Sequence, residues 1–274
     1  MIHAASRQAI AALREQSEPI LDRFSSVAGL TGLAAELYSV ADFLGSTPRL
    51  RRALSDPAAL QHARTSLADR LFEDKISPSA AQVVHDAVSL RWSSQWDMLD
   101  AIEATGDDAL FAAAEQEGAL DDVEDQLFRF ERIIDGEGEL AGLLDDRTVD
   151  TERRVALLDS VLADKVQPVT RDLLAHAVSS DRRRALPLAL EDLLKSAAAR
   201  RERSIARVIS AVMLTDAQEQ RLAAVLSDMY GRAISVRTAV DPAVLGGLIV
   251  RVGDEVIDGS VATRLSRARD AVAG

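Results

Sequence analysis

Four histidines, His3, His62, His85 and His176, are the side chains best suited to metal or proton-transfer chemistry, and none lies within ligand spacing of another. Isolated surface or core histidines are therefore expected. Cysteine is absent, which removes disulfides, thiol nucleophiles and thiolate-bound zinc and suits a reducing compartment. None of the three lysines, Lys75, Lys165 and Lys195, follows a glycine, so no Walker-type phosphate loop can be assembled. The stretch GEGELAG at 136–142 has the glycine spacing of a dinucleotide loop, but it follows a helical pattern and carries Glu137 and Glu139, which would repel phosphate. No Gly-x-Ser-x-Gly elbow occurs, and nothing in the spacing of the many carboxylates fixes an acid–base pair. The expectation is a chain without catalytic residues, cofactor or metal.

The chain has 274 residues, 47% of them hydrophobic but only 4% aromatic, so its core is expected from closely packed alanine- and leucine-rich helices. A net charge of −12 argues against a nucleic-acid partner. The basic clusters at Arg182–Arg184 and at Arg200, Arg201, Arg203 and Arg207 lack interleaved aromatics, and they read as a solvated face or a protein-docking patch. The N-terminus lacks the apolar core of a signal peptide, and the longest apolar run, AVLGGLIV, is far shorter than a bilayer span. Any membrane association is expected to be indirect, through a partner.

The elements that position these residues repeat. Windows 50–89 and 140–179 share 12 of 40 residues without a gap, where unrelated chains would share roughly 3. DKISP at 74–78 aligns with DKVQP at 164–168, and AVS at 87–89 with AVS at 177–179. Leu60, Ala63, Leu67, Ala68 and Leu71 predict one amphipathic stripe; Pro78 and Pro168 predict helix starts, followed by Val83, Val84, Ala87 and Val88 in one copy and Leu173, Leu174, Ala177 and Val178 in the other. Lead helices are expected at 33–46 and 123–136, each closed by a glycine. Short helices bury their stripes only by bundling. Between Arg91 and Arg129 lie 11 acidic residues and no basic one, which reads as a solvated helix face or linker.

The period changes after residue 200. RSIARVISAVM at 203–213 predicts a strand, and Thr215 with Gln218 predicts a capping box on a helix whose buried stripe is Leu222, Val225, Leu226 and Met229. Alternation predicts further strands with Ile234, Val236, Thr238 and Val240, then Leu248, Val250 and Val252, on their buried faces. A turn at VGDEV returns the chain through Val256 and Ile257, and a closing helix runs from Val261 to about Ala273. Gly253 and Gly259 are expected at positive φ, and Gly246 and Gly247 at a bulge or a close backbone approach. The fold class is mainly α: a helical bundle with an internally duplicated bundle, then a small α/β domain, divided at 1–105, 106–200 and 201–274.

The segment DPAVLGGLIVRVGDEVIDGSVATRL at 241–265 closely resembles the C-terminal signature of the delta subunit of F-type ATP synthases, whose mitochondrial counterpart is the oligomycin-sensitivity-conferring protein. The residues that carry the likeness are Asp241, Gly246, Gly247, Arg251, Gly253, Asp254, Ile257, Asp258, Gly259, Ser260, Arg264 and Leu265. The duplication is similar to the longer actinobacterial form. Where the family often has an aromatic in its first helix, this chain has SRQAIAAL. The resemblance implies a peripheral-stalk protein on the cytoplasmic face of the cell membrane. Its helical domain would grip N-terminal helices of the alpha subunits, and its C-terminal domain the far end of the b-subunit or b-like stalk. The gripping groove is expected in the first bundle, and the second bundle would stiffen the joint or add a docking surface for the stalk. The competing expectation is an unrelated helical adaptor for protein or nucleic acid.

Overall fold

A computed structural model describes residues 4–261 apart from 164, 181–184, 204, 231–233, 242, 243, 245 and 254. The chain packs as two units, residues 1–196 and 197–274.

The first unit begins with α1 (Ala4–Leu21), α2 (Val27–Ser46), α3 (Pro48–Ser55), α4 (Gln61–Phe72), α5 (Pro78–Ser89) and α6 (Gln95–Gln116). It continues with α7 (Leu120–Gly136), α8 (Gly138–Asp145), α9 (Thr151–Leu162) and α10 (Pro168–Ser179), and then enters α11 (Leu186–Arg203). Local chemistry sets many of the starts. Ser26, Ser77 and Ser94 accept hydrogen bonds from Gly29, Ala80 and Trp96 amides at the N-termini of α2, α5 and α6, and Pro48, Pro78 and Pro168 open helices where no amide donor is needed.

The duplication is visible in the fold down to several equivalent hydrogen bonds. The pairings α2–α3, α2–α5, α3–α4 and α4–α5 recur as α7–α8, α7–α10, α8–α9 and α9–α10. Glu36 accepts from the Ser77 amide at 3.1 Å, and Gln126, 90 positions on, accepts from the Gln167 amide at 2.8 Å. Asp56 and Asp146 each accept the amide two residues ahead, from Ala58 and Thr148, both at 2.9 Å. Arg64 and Arg154 are buried and donate to main-chain carbonyls, Asp56 and Ser89 in one copy, Leu144 and Val178 in the other. Hydrogen bonds from a charged donor to carbonyls at helix C-termini satisfy acceptors that the helices leave open.

Helix α6 belongs to both copies. It packs along α2 as the last helix of the first, and its contact with α10 repeats the contact of α1 with α5, so it also serves as the first helix of the second. Two sequence expectations bear on this helix, and a third on α4. The division at 105/106 falls inside this single helix, and the two bundles form one unit. The acidic run divides: Glu103, Asp107, Asp108 and Glu115 are buried, because α6 has neighbours on both sides, whereas Glu117, Asp121, Asp122 and Asp125 are exposed as a solvated stretch. The stripe of α4 is turned, with Arg64, Thr65, Ala68 and Phe72 inside, while Leu60 is 67% exposed and Ala63 faces solvent. Arg64 points inward on that face and reaches the Asp56 and Ser89 carbonyls. Gly45 and Gly136 stay within helical backbone, since positive φ among the described glycines occurs at 118, 246, 247 and 253. α2 is long and apolar enough to cross a membrane by composition, but Leu30, Leu33, Leu37, Val40 and Leu44 are buried in the core.

The second unit holds β1 (Ile205–Ser210), α12 (Asp216–Tyr230), β2 (Ser235–Val240), β3 (Leu248–Val252) and β4 (Glu255–Asp258). The sheet order is β2-β1-β3-β4, parallel between β1 and β2 and antiparallel elsewhere. Ala206, Val208, Val250 and Val252 alternate onto one face and pack with Leu226 and Ile234. The capping box forms as expected: Gln218 accepts from the Thr215 amide at 2.9 Å. Its helix, however, buries Leu226 fully and Leu222 and Tyr230 in part. Val225 is 56% and Met229 55% exposed, and Val240 is exposed at the strand end. The closing helix expected beyond Val261 lies outside the described residues.

Candidate interaction surfaces

The two copies of the bundle meet at a polar seam. The Tyr38 ring on α2 stacks on His176 of α10, with centroids 3.5 Å apart and planes 8° from parallel. Its hydroxyl donates to Asp107 Oδ1 at 2.7 Å. Gly106 makes this possible, since a Cβ there would stand 2.6 Å from Tyr38 Cε1. Next to the stack, Ser180 Oγ donates to Glu103 Oε1 at 3.0 Å, and His176 Nε2 lies 3.8 Å from the same oxygen. Arg14 of α1 donates to Asp108 at 2.8 Å. Desolvation pushes the Asp107 carboxyl up to about 7, the Tyr38 hydrogen bond opposing and Asp108 and Asp192 adding to the rise. Desolvation also draws His176 down to about 4. These groups hold one another across α2, α6 and the end of α10, so the arrangement ties the helices together.

Clefts open on both sides of the seam. One of about 840 Å³ lies between the C-terminal end of α2, Trp96 and Leu99 of α6, and Arg147, Thr151 and Ser179 of the second copy. Half-exposed Phe43 stands at its edge. A smaller one of about 360 Å³ lies between Ala34 and Ala35 of α2 and Val155 and Ala175 of the second copy. The neighbouring Arg51 is buried, donates to the Gly45 carbonyl at 2.6 Å and stacks 3.7 Å above the Trp96 ring, so the end of α2 and the start of α6 are fixed together. Sequence reasoning missed the seam, because Tyr38, Asp107 and His176 are brought together by tertiary packing alone. Arg64 and Arg154 were within reach: each is identical in the two copies, at a position where an exposed helix face has no reason to keep it.

The signature residues of the C-terminal unit form a backbone knot. Gly247 has φ +84°, and a Cβ there would meet the Gly259 carbonyl oxygen at 2.4 Å. Two hydrogen bonds of 2.9 Å close the approach, Gly259 amide to Leu248 carbonyl and Val261 amide to Gly246 carbonyl. Gly253 takes positive φ at the β3–β4 turn, but Gly259 does not: the tight contact it makes, with Leu248 oxygen 3.2 Å from where its Cβ would be, constrains it by space and not by dihedral. Asp258 accepts the amide of buried Ser260 at 2.8 Å, and Ile257 packs against the core. The Asp241 amide donates to the Ser210 carbonyl at 2.9 Å, tying the entry of the segment to β1, while Arg251 is exposed on the opposite face of the sheet. Asp254, Arg264 and Leu265 lie outside the described residues, as do His3 and Arg182–Arg184. His62 is exposed, and His85 Nδ1 lies 2.9 Å from Asp69 Oδ1. Among the described residues no group of three His, Cys, Asp or Glu is placed to hold a metal ion. Arg200, expected in a basic surface cluster, is buried.

A duplicated helical bundle locked along a seam, joined to a small α/β unit, is a helical scaffold protein. The family model for the ATP synthase delta (OSCP) subunit matches residues 108–272. Among similar proteins, the ATP synthase subunit delta of Streptomyces avermitilis is 45% identical over 267 residues, 97% of each chain. That of Streptomyces griseus is 43% identical over the whole of both chains, and that of Acidothermus cellulolyticus 42% identical over 99% of this chain and 100% of its own. The chain belongs to the ATP synthase delta (OSCP) subunit family.

Proposed function

We propose that the chain is a peripheral-stalk subunit of a proton-translocating F-type ATP synthase. It joins the catalytic head to the stalk so that the head resists the torque of the turning shaft, and it catalyses nothing itself. The observation that carries this reading is the match over essentially the full length to relatives named as ATP synthase subunit delta. The seam supports it mechanically: buried hydrogen bonds and a ring stack across three helices resist shear better than apolar contacts, which slide without losing fixed partners. The partners are the N-terminal helices of the alpha subunits and the C-terminal part of a b-type stalk. Contact with the cytoplasmic face of the cell membrane is indirect, through the complex.

The matched span begins within α6 and runs to residue 272. It supports α6–α11 with the C-terminal unit as the portion the family shares, and α1–α5 as the added copy. On that ground we infer a groove for the alpha helices in the second bundle, where the sequence alone pointed to the first. Helix-in-groove recognition fits a bundle of short helices with alanine-rich faces.

Removing the gene tests the function directly. Membranes should lose proton-driven ATP synthesis and shed their catalytic heads into the wash. A rotary machine that stays fully assembled and coupled without this chain overturns the reading.

A further inference from the structure

The outer face of the C-terminal sheet carries three arginines in one line. Register sets Arg207 of β1 directly opposite Arg237 of β2 and opposite Arg251 of β3. Alternation sends all three away from the core face formed by Ala206, Val208, Val250 and Val252. All are exposed, and Arg207 pairs with Glu202 at 2.6 Å. Like charges directly opposite on neighbouring strands destabilise the pairing, yet the row persists in a chain whose net charge is −12. The adjacent row is apolar: Ala239, Ile209 and Ile249 lie in register and are exposed or half-buried. A basic row thus runs beside an apolar one across three strands.

We propose that this face docks an acidic α-helical segment of a partner polypeptide, lying across the strands. Spacing and charge select that occupant. Neighbouring strands are about 4.8 Å apart, so the guanidinium row repeats at nearly the pitch of an α-helix, about 5.4 Å per turn. Carboxylates at i, i+4 and i+7 of such a helix would each meet one arginine, and its apolar residues would rest on Ile209 and Ile249. Same-face residues of an extended strand repeat at about 6.7 Å and fall out of step. Phosphate-dense polymers and anionic bilayers are disfavoured by the overall negative charge and by Asp258, which sits in register with Ile249 on the same face.

The test titrates the full chain with an alanine-rich helical peptide carrying glutamates at i, i+4 and i+7. Comparison probes are the same composition with glutamates scattered around the helix, a short DNA duplex, and phosphatidylglycerol vesicles. The spaced peptide should bind, more weakly as salt rises, and the R207Q/R237Q/R251Q variant should lose about tenfold in affinity, the sum of three exposed ion pairs. Relief of cross-strand repulsion should leave that variant's melting temperature unchanged or raised. A milder single change on edge strand β2, Arg237→Glu, should weaken the peptide about threefold and covers the case in which the triple variant misfolds. Equal binding of the scattered peptide, unaltered affinity of the arginine variants, tighter binding of DNA or vesicles, or arginine-dependent self-association of the chain would each overturn the proposal. The titration needs no other subunit, so its outcome is separate from that of the gene-removal experiment.

Discussion

A methyl group at position 106 has nowhere to go. It would stand 2.6 Å from a Tyr38 ring that is held by His176 on its face and by Asp107 at its hydroxyl. Gly106→Ala should therefore destabilise the protein by about 1–3 kcal/mol, the usual cost of overpacking. Gly32, exposed in α2, has nothing within 4 Å of its Cβ position, and Gly32→Ala should stabilise by about 0.5–1 kcal/mol. Denaturant midpoints at unchanged slope check both. Protonation at the seam gives a second expectation with a defined sign. Asp107 titrates near 7 in the fold against 3.8 in its ordinary state, so the folded chain holds the extra proton between those values and this group's contribution to stability falls as pH rises through them. His176 titrates near 4 against 6.5, so its contribution falls as pH drops from 6.5 to 4. Asp107→Asn should gain on the parent most above pH 7 and lose that advantage toward pH 4. His176→Gln should gain on the parent as pH falls from 6.5 to 4. Parallel stability–pH curves for parent and variants would contradict the assignment.

At the scale of elements, the 90-residue period makes a clean deletion possible. Removing residues 106–195 joins Thr105 to Ser196, one full repeat apart, so the first half of α6 runs in phase into the end of α11. That variant should fold cooperatively as a single-copy protein. A deletion one residue shorter turns everything after the junction by about 100° on the helix surface and should unfold without a sharp transition. Circular dichroism melts distinguish the two. With the alpha-subunit groove assigned to the second copy, the in-phase deletion should also lose binding of an alpha N-terminal peptide; unchanged affinity would return the groove to the first. Starting the chain at residue 106, by contrast, cuts α6 and exposes core on both sides of the break. Prolines and repeated aliphatic positions made α4, α5, α9 and α10 readable, because each of those signals acts within one or two turns. The sharing of α6 was not readable, since a helix packed on two sides and a helix packed on one can have the same local pattern.

For the whole molecule, charge decides between classes of partner. With a net charge of −12, the protein should pass through a heparin column at near-physiological salt, and retention would favour the nucleic-acid adaptor over the stalk subunit. The exposed arginine row does not alter that expectation, because three arginines on one sheet face act locally, within about 8 Å at that ionic strength.

The amino-acid sequence by itself determined the helical class, the duplication, the capping box at Thr215 and the glycine knot near residue 247, all of which follow from steric and hydrogen-bonding rules between near neighbours or from repetition of a pattern. Tertiary structure decided which charges are solvated. Asp107 meets Tyr38 from 69 residues away and Glu103 meets Ser180 from 77. Whether a carboxylate lies in water or in a core depends on what packs against the far side of its helix, and no local spacing records that.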